Sequence, residues 1–68
     1  MRLVVTLDAM LHRRGITGRQ LADRVGLSET QLSLFRSGKV RGIRFATLLR
    51  ICIELDCQPG DLLAVEKD

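Results

Sequence analysis

Apolar residues in this chain fall into short groups with helical spacing, set apart by glycines and small hydroxyl residues. The first group, Leu3, Val4 and Val5, has no helical spacing and favours extended backbone, so Met1–Thr6 reads as a short strand. Leu7, Met10 and Leu11 then share one helical face. They predict a helix from about Leu7 to Arg14, capped by Thr6 and ended by Gly15, with Arg13 and Arg14 at the negative end of its dipole. Thr17 caps a second helix of about Gly18 to Val25, with Leu21, Ala22 and Val25 inward and Gly26 as its stop. Ser28 caps a third, from Glu29 to about Arg36, held by Leu32 and Phe35 and closed by Gly38. Lys39 to Ile43 is a loop. A fourth helix runs from about Phe45 to Leu55 with a core arc of Phe45, Leu48, Ile51, Cys52 and Leu55. Pro59 suits the first turn of a last short helix. Leu62, Leu63 and Val65 either continue that helix inward or run on as an extended tail. The expected fold is all-α, with five short helices around one core and a short N-terminal strand, in a single domain spanning 1–68.

Composition narrows the classes of protein this can be. A chain of 68 residues forms one domain with a thin core. The apolar runs fall well short of the ~20 residues of a membrane span, and the opening segment lacks a signal-peptide pattern. A cytoplasmic protein is expected. Cys52, Cys57 and His12 cannot supply the usual four ligands of a zinc site. They read as a buried core thiol, a half-buried thiol and a surface or half-buried imidazole, so no metal and no disulfide are expected. No nucleophile–base pair, paired carboxylates or glycine-rich phosphate loop is recognisable, so neither catalysis nor a cofactor or small-molecule ligand is expected.

The net charge is +3, but it is unevenly placed. From Ala9 to Arg50 nine basic residues stand against two acidic ones, giving +7; from Ile51 to Asp68 one basic residue stands against five acidic, giving −4. Positive charge gathered in the middle of a chain suits a polyanionic partner.

One segment carries a specific geometry: Leu21-Ala22-x-x-Val25-Gly26-Leu27-Ser28-x-x-x-Leu32-x-x-Phe35-x-x-Gly38. A small Ala22 lets the third helix cross close to the second. Gly26 permits the positive φ of a tight interhelical turn. Leu27 fills the corner, and Ser28 fixes where the third helix begins. Leu32 and Phe35 turn inward, which leaves Glu29, Thr30, Ser33 and Leu34 facing outward. Two helices joined this way, at about 17–37, can set the second into a DNA major groove.

This pattern resembles the helix-turn-helix of the Cro and phage-repressor family of transcriptional regulators. The tail, Ile51-Cys52-x-x-Leu55-Asp56-Cys57-Gln58-Pro59-Gly60-Asp61-Leu62-Leu63, and the preceding Gly38–Phe45 segment look like a subgroup of small single-domain regulators. The resemblance implies the five-helix lambda-repressor-like fold and double-stranded DNA as partner. It implies operator occupancy, with repression more usual than activation, and no cofactor. Carried over by position, Glu29, Thr30, Ser33 and Leu34 would face bases, while Thr17, Gly18, Arg19, Ser28, Ser37, Lys39, Arg41 and Arg44 would meet phosphate. The charge count agrees, since Arg36 to Arg50 holds five basic residues and no acidic one.

Some positions keep alternatives open. Glu29 can accept from a cytosine amino group or serve the helix N-terminus, and Leu34 can touch a thymine methyl or face a partner protein. Relatives commonly carry Glu-Asn-Gly where this chain has Arg36-Ser37-Gly38, and their acid often makes an internal ion pair. Arg36 is expected instead to add to the positive face. Leu49 and Ile53 widen the apolar arc of the fourth helix; they cover a wider core or, with Val4 on the strand, form a homodimer surface. The competing function is a protein-interaction module, such as an antitoxin or phage accessory factor, on the same fold.

Overall fold

A computed structural model describes residues 1–40 and 42–67 of the chain. The element order is β1 (Arg2–Val5), α1 (Leu7–Arg14), α2 (Gly18–Val25), α3 (Glu29–Arg36), α4 (Phe45–Leu55), a 3₁₀ turn (Pro59–Asp61) and β2 (Leu63–Glu66). The four α-helices coincide with the segments that hydrophobic spacing and caps predict. Their buried faces meet in one core of Leu7, Leu21, Leu32, Ile51, Leu55 and Leu62, all nearly inaccessible to water, with Met10, Val25 and Phe35 around them.

The helix ends follow local chemistry. Gly15 and Gly26 take φ of +67° and +75°, and the turn after Gly26 closes with the Leu27 N–H donating to the Ala22 carbonyl at 3.0 Å. A side chain disfavours that backbone, which is why glycine stands there. α4 ends differently, on Asp56 at φ +49°. Its terminal carbonyls accept from a donor elsewhere in the fold. The Arg14 Nε donates to the Leu55 carbonyl at 2.6 Å and its Nη2 to the Asp56 carbonyl at 3.0 Å. Arg14 stands in the last turn of α1, as expected, and also caps a neighbouring helix.

The C-terminal region departs from expectation. Among the described residues Pro59–Asp61 forms a 3₁₀ turn rather than a fifth α-helix, beside four α-helices and a two-stranded sheet. Pro59 and Gly60 support a single tight turn, closed by the Gln58 N–H donating to Asp61 Oδ2 at 2.9 Å. The chain then pairs antiparallel with β1, in the register Arg2↔Glu66, Leu3↔Val65, Val4↔Ala64 and Val5↔Leu63. Leu62 drops into the core at the junction, while Leu63–Glu66 takes the extended of the two courses open to it and leaves Val65 exposed. Thr6 stands before α1 but does not cap it with its side chain. Its hydroxyl donates to the Asp61 carbonyl at 2.8 Å, and its N–H donates to the Leu62 carbonyl at 2.8 Å. Those two bonds tie the chain's beginning to its end, which local helix chemistry alone would not have required.

Phe45 also departs. It was assigned to the core arc of α4, yet 88% of its surface is exposed. Ile51, Cys52 and Leu55 are buried and Leu48 is half-buried, so the core arc lacks its first member.

Candidate nucleic-acid interface

Local chemistry sets α3 in place with a defined start. The Ser28 hydroxyl oxygen accepts from the Gln31 N–H at 3.0 Å, while Gln31 Oε1 accepts from the Ser28 N–H at 3.0 Å. α2 opens with the same reciprocal pair, between Thr17 and Gln20, at 3.1 and 2.8 Å. Each capping box satisfies two backbone donors and fixes the helix's first residue. The two glutamines were not singled out from sequence, although Thr-x-x-Gln and Ser-x-x-Gln carry the signal.

With Leu32 and Phe35 buried, the outer surface of α3 is formed by Glu29, Thr30, Ser33 and Leu34, all exposed. Among the described residues, the side chains of Glu29, Thr30 and Ser33 make no hydrogen bond or ion pair, so their polar atoms are available. Leu34 is 43% exposed, an apolar element within a polar face.

The expected phosphate contacts have unequal capacity. Thr17 and Ser28 use their hydroxyl oxygens as acceptors, which leaves each O–H free to donate outward. Ser37 has spent its O–H on the Leu34 carbonyl at 3.1 Å. The capping box claims the N–H of Gln20, so the first-turn N–H groups of Gly18 and Arg19 remain without an intrahelical acceptor. Arg19, Lys39 and Arg44 are exposed. Arg41 lies outside the described residues.

Arg36 corrects an expectation. Rather than standing free on the positive face, its Nε donates to Asp8 Oδ1 at 2.6 Å, linking the end of α3 to the start of α1. The guanidinium lies directly against Gly18; a Cβ there would collide with its Nη1. A side chain at Gly18 would displace the guanidinium, a shift open to the flexible end of a partly exposed arginine.

Phe45, Leu49 and Ile53 are spaced four apart and form one stripe along α4, 88%, 60% and 66% exposed. Leu48, Cys52 and Cys57 line the groove beside it. Burial raises the Cys57 thiol pKa from 9.0 to about 11, with the neighbouring Cys52 adding to the shift. Val4 is half-buried and lines a different groove, with Arg36 and Gly38; the exposed apolar pair of the sheet is Leu3 and Val65. Among the described residues no group of three or more His, Cys, Asp or Glu is gathered, and no helix is long and apolar enough to cross a membrane.

Comparison with known proteins agrees with this geometry. The family model for the Cro/C1-type HTH DNA-binding domain matches residues 6–68. An HTH-type transcriptional regulator of Bacillus subtilis strain 168, YozG, itself uncharacterised, is 40% identical over 68 residues, which is all of this chain and 81% of that one. A crystal structure of a candidate DNA-binding protein from Bacteroides fragilis superposes with a TM-score of 0.80 at 24% identity, covering 93% of this chain and 100% of that one.

Proposed function

Because the chain belongs to the Cro/C1-type helix-turn-helix DNA-binding family, we propose that it is a sequence-specific repressor that occupies an operator as a homodimer. DNA binding and transcriptional regulation come with the family. The finer reading rests chiefly on one observation: the outer face of α3 presents Glu29, Thr30 and Ser33 with their polar atoms unengaged, on a helix fixed by its capping box and core residues. A rigid helix with free donors and acceptors is what base-edge readout needs. Thr30 and Ser33 would read bases, Glu29 would accept from a cytosine amino group, and Leu34 would meet a thymine methyl. The N–H groups of Gly18 and Arg19, the hydroxyls of Thr17 and Ser28, and the cations Arg19, Lys39, Arg41 and Arg44 would hold phosphates and fix register. Occupancy needs no chemical step, so the mechanism is steric exclusion of whatever else would bind the same DNA.

The α4 stripe supports the homodimer. Family members of this geometry read two half-sites about one helical turn apart when paired. A stripe of Phe45, Leu49 and Ile53 is self-complementary across a two-fold axis, with the apolar groove beside it to receive the partner's side chains.

Selection of bound duplexes from a random pool tests the whole reading. The expected product is a palindromic motif. Binding to it should weaken with salt by a log–log slope of about 0.9 per phosphate neutralised. Arg44→Gln should weaken all duplexes alike, and Thr30→Val should change which sequence is preferred. Recovery of no enriched motif, or an affinity flat from low to physiological salt, would refute sequence-specific binding.

A further inference from the structure

We propose that Arg36 is a further DNA-backbone contact, a guanidinium held by Asp8 beside the first turn of α2 so that it meets the phosphate received there. The inference rests on the DNA-binding reading above and gives a specific contact to a residue expected from sequence only to add to the positive face. Three observations carry it. Only the Nε of Arg36 is engaged, by Asp8 at 2.6 Å, and among the described residues both terminal nitrogens keep their donors free. The guanidinium packs against Gly18, the first residue of α2, where a Cβ would displace it. The side chain is 38% exposed, so the group is neither buried nor loose.

The chemistry suits this position. A guanidinium offers five donors in a planar fork, and bonding through Nε to one carboxylate oxygen leaves four N–H groups for a phosphate. The N–H groups of Gly18 and Arg19 point out of the same helix end, whose dipole favours an anion. One phosphate oxygen at the backbone donors and another at an Arg36 Nη is a two-point grip. Asp8 is 66% exposed and carries a negative charge toward the same surface. Its value is therefore positional: it fixes a flexible cation over α2 at the cost of some attraction. A family acid at the Arg36 position would face this phosphate with repulsion, so the exchange of charge has a consequence for binding and not only for packing.

Fluorescence anisotropy on a 20-base-pair duplex of random sequence tests this, with salt titrated from about 50 to 200 mM for wild type, R36Q and R36K. The inference expects R36Q to lower the log–log salt slope by about 0.9, so that its affinity falls ~3.5-fold less than wild type's across that range. R36K, which keeps the charge, should retain most of the slope. An R36Q slope equal to wild type, even with a lowered melting temperature, would show that Arg36 serves packing alone and overturns the proposal. In a D8A background, R36Q should change the slope by less than it does in wild type; an equal change overturns the positioning role of Asp8. Should wild type itself fail to bind the duplex at 50 mM salt, the underlying DNA-binding reading falls, an outcome distinct from an unchanged R36Q slope.

Discussion

Replacing Ile53 with serine separates a surface that belongs between two copies from one that belongs to the fold. Full burial of an Ile or Leu side chain is worth about 1.5–3 kcal/mol. Ile53 keeps 66% of its surface exposed in the monomer, so covering it gains about 1–2 kcal/mol per copy. A two-fold interface covers it twice. Serine forfeits most of that, about 2–4 kcal/mol, which weakens the dimer dissociation constant roughly 30- to 900-fold. The monomer should hardly notice: serine and isoleucine have similar helix propensities, and exposed substitutions usually stay within about 0.5 kcal/mol. Sedimentation equilibrium reads the dimer constant, and a thermal melt of the dilute monomer reads the fold. The choice of a neutral residue keeps the DNA electrostatics unchanged, so any loss of affinity for a two-half-site duplex comes from lost pairing. An I53S protein that dimerises like wild type would refute the argument. So would a monomer that melts many degrees earlier, because Ile53 would then be serving the fold.

Other substitutions follow from contacts that reach across the fold. Leu62→Ala should cost about 2–5 kcal/mol, enough to unfold much of so small a domain at 37 °C, since Leu62 is fully buried where the sheet meets the core; circular dichroism reads this, and a near-normal melt would show that the site collapses without loss. Arg14→Ala should cost about 1–2 kcal/mol in urea denaturation, as the Leu55 and Asp56 carbonyls lose their donor. An unchanged urea midpoint would mean water replaces it freely. Cys57, its pKa raised from 9.0 to about 11 chiefly by burial, should stay a thiol at pH 8. Its iodoacetamide labelling should be slow in the folded protein and climb between about pH 9 and 11. The folded state holds that proton more tightly than the unfolded chain, so this contribution to stability is present below pH 9 and lost as pH rises toward 11. Fast labelling of the native protein at pH 8 would contradict the burial argument.

What the sequence determined by itself is the local part of this protein. Thr17 and Ser28 fix the starts of α2 and α3, and Gly26 fixes the turn between them, because caps and positive-φ turns are decided within four residues of chain. Leu21, Ala22, Val25, Leu32 and Phe35 fix the inner face by their spacing alone, and the exposed set of Glu29, Thr30, Ser33 and Leu34 follows as the remainder. The outward face of α3 was legible for that reason. The tertiary structure decided whatever depends on a partner distant in the chain. The extended course of Leu63–Glu66, left open in the sequence beside a helical one, becomes a strand because β1 lies beside it to take its hydrogen bonds. Phe45 lies outside because it shares the outward stripe of Leu49 and Ile53, four and eight positions on, rather than the arc of Ile51, Cys52 and Leu55. Arg36 pairs with Asp8, 28 positions away, because α1 and α3 meet at their ends over Gly18. A charge takes its meaning from whatever stands opposite it, and only the packed helices bring that group within reach.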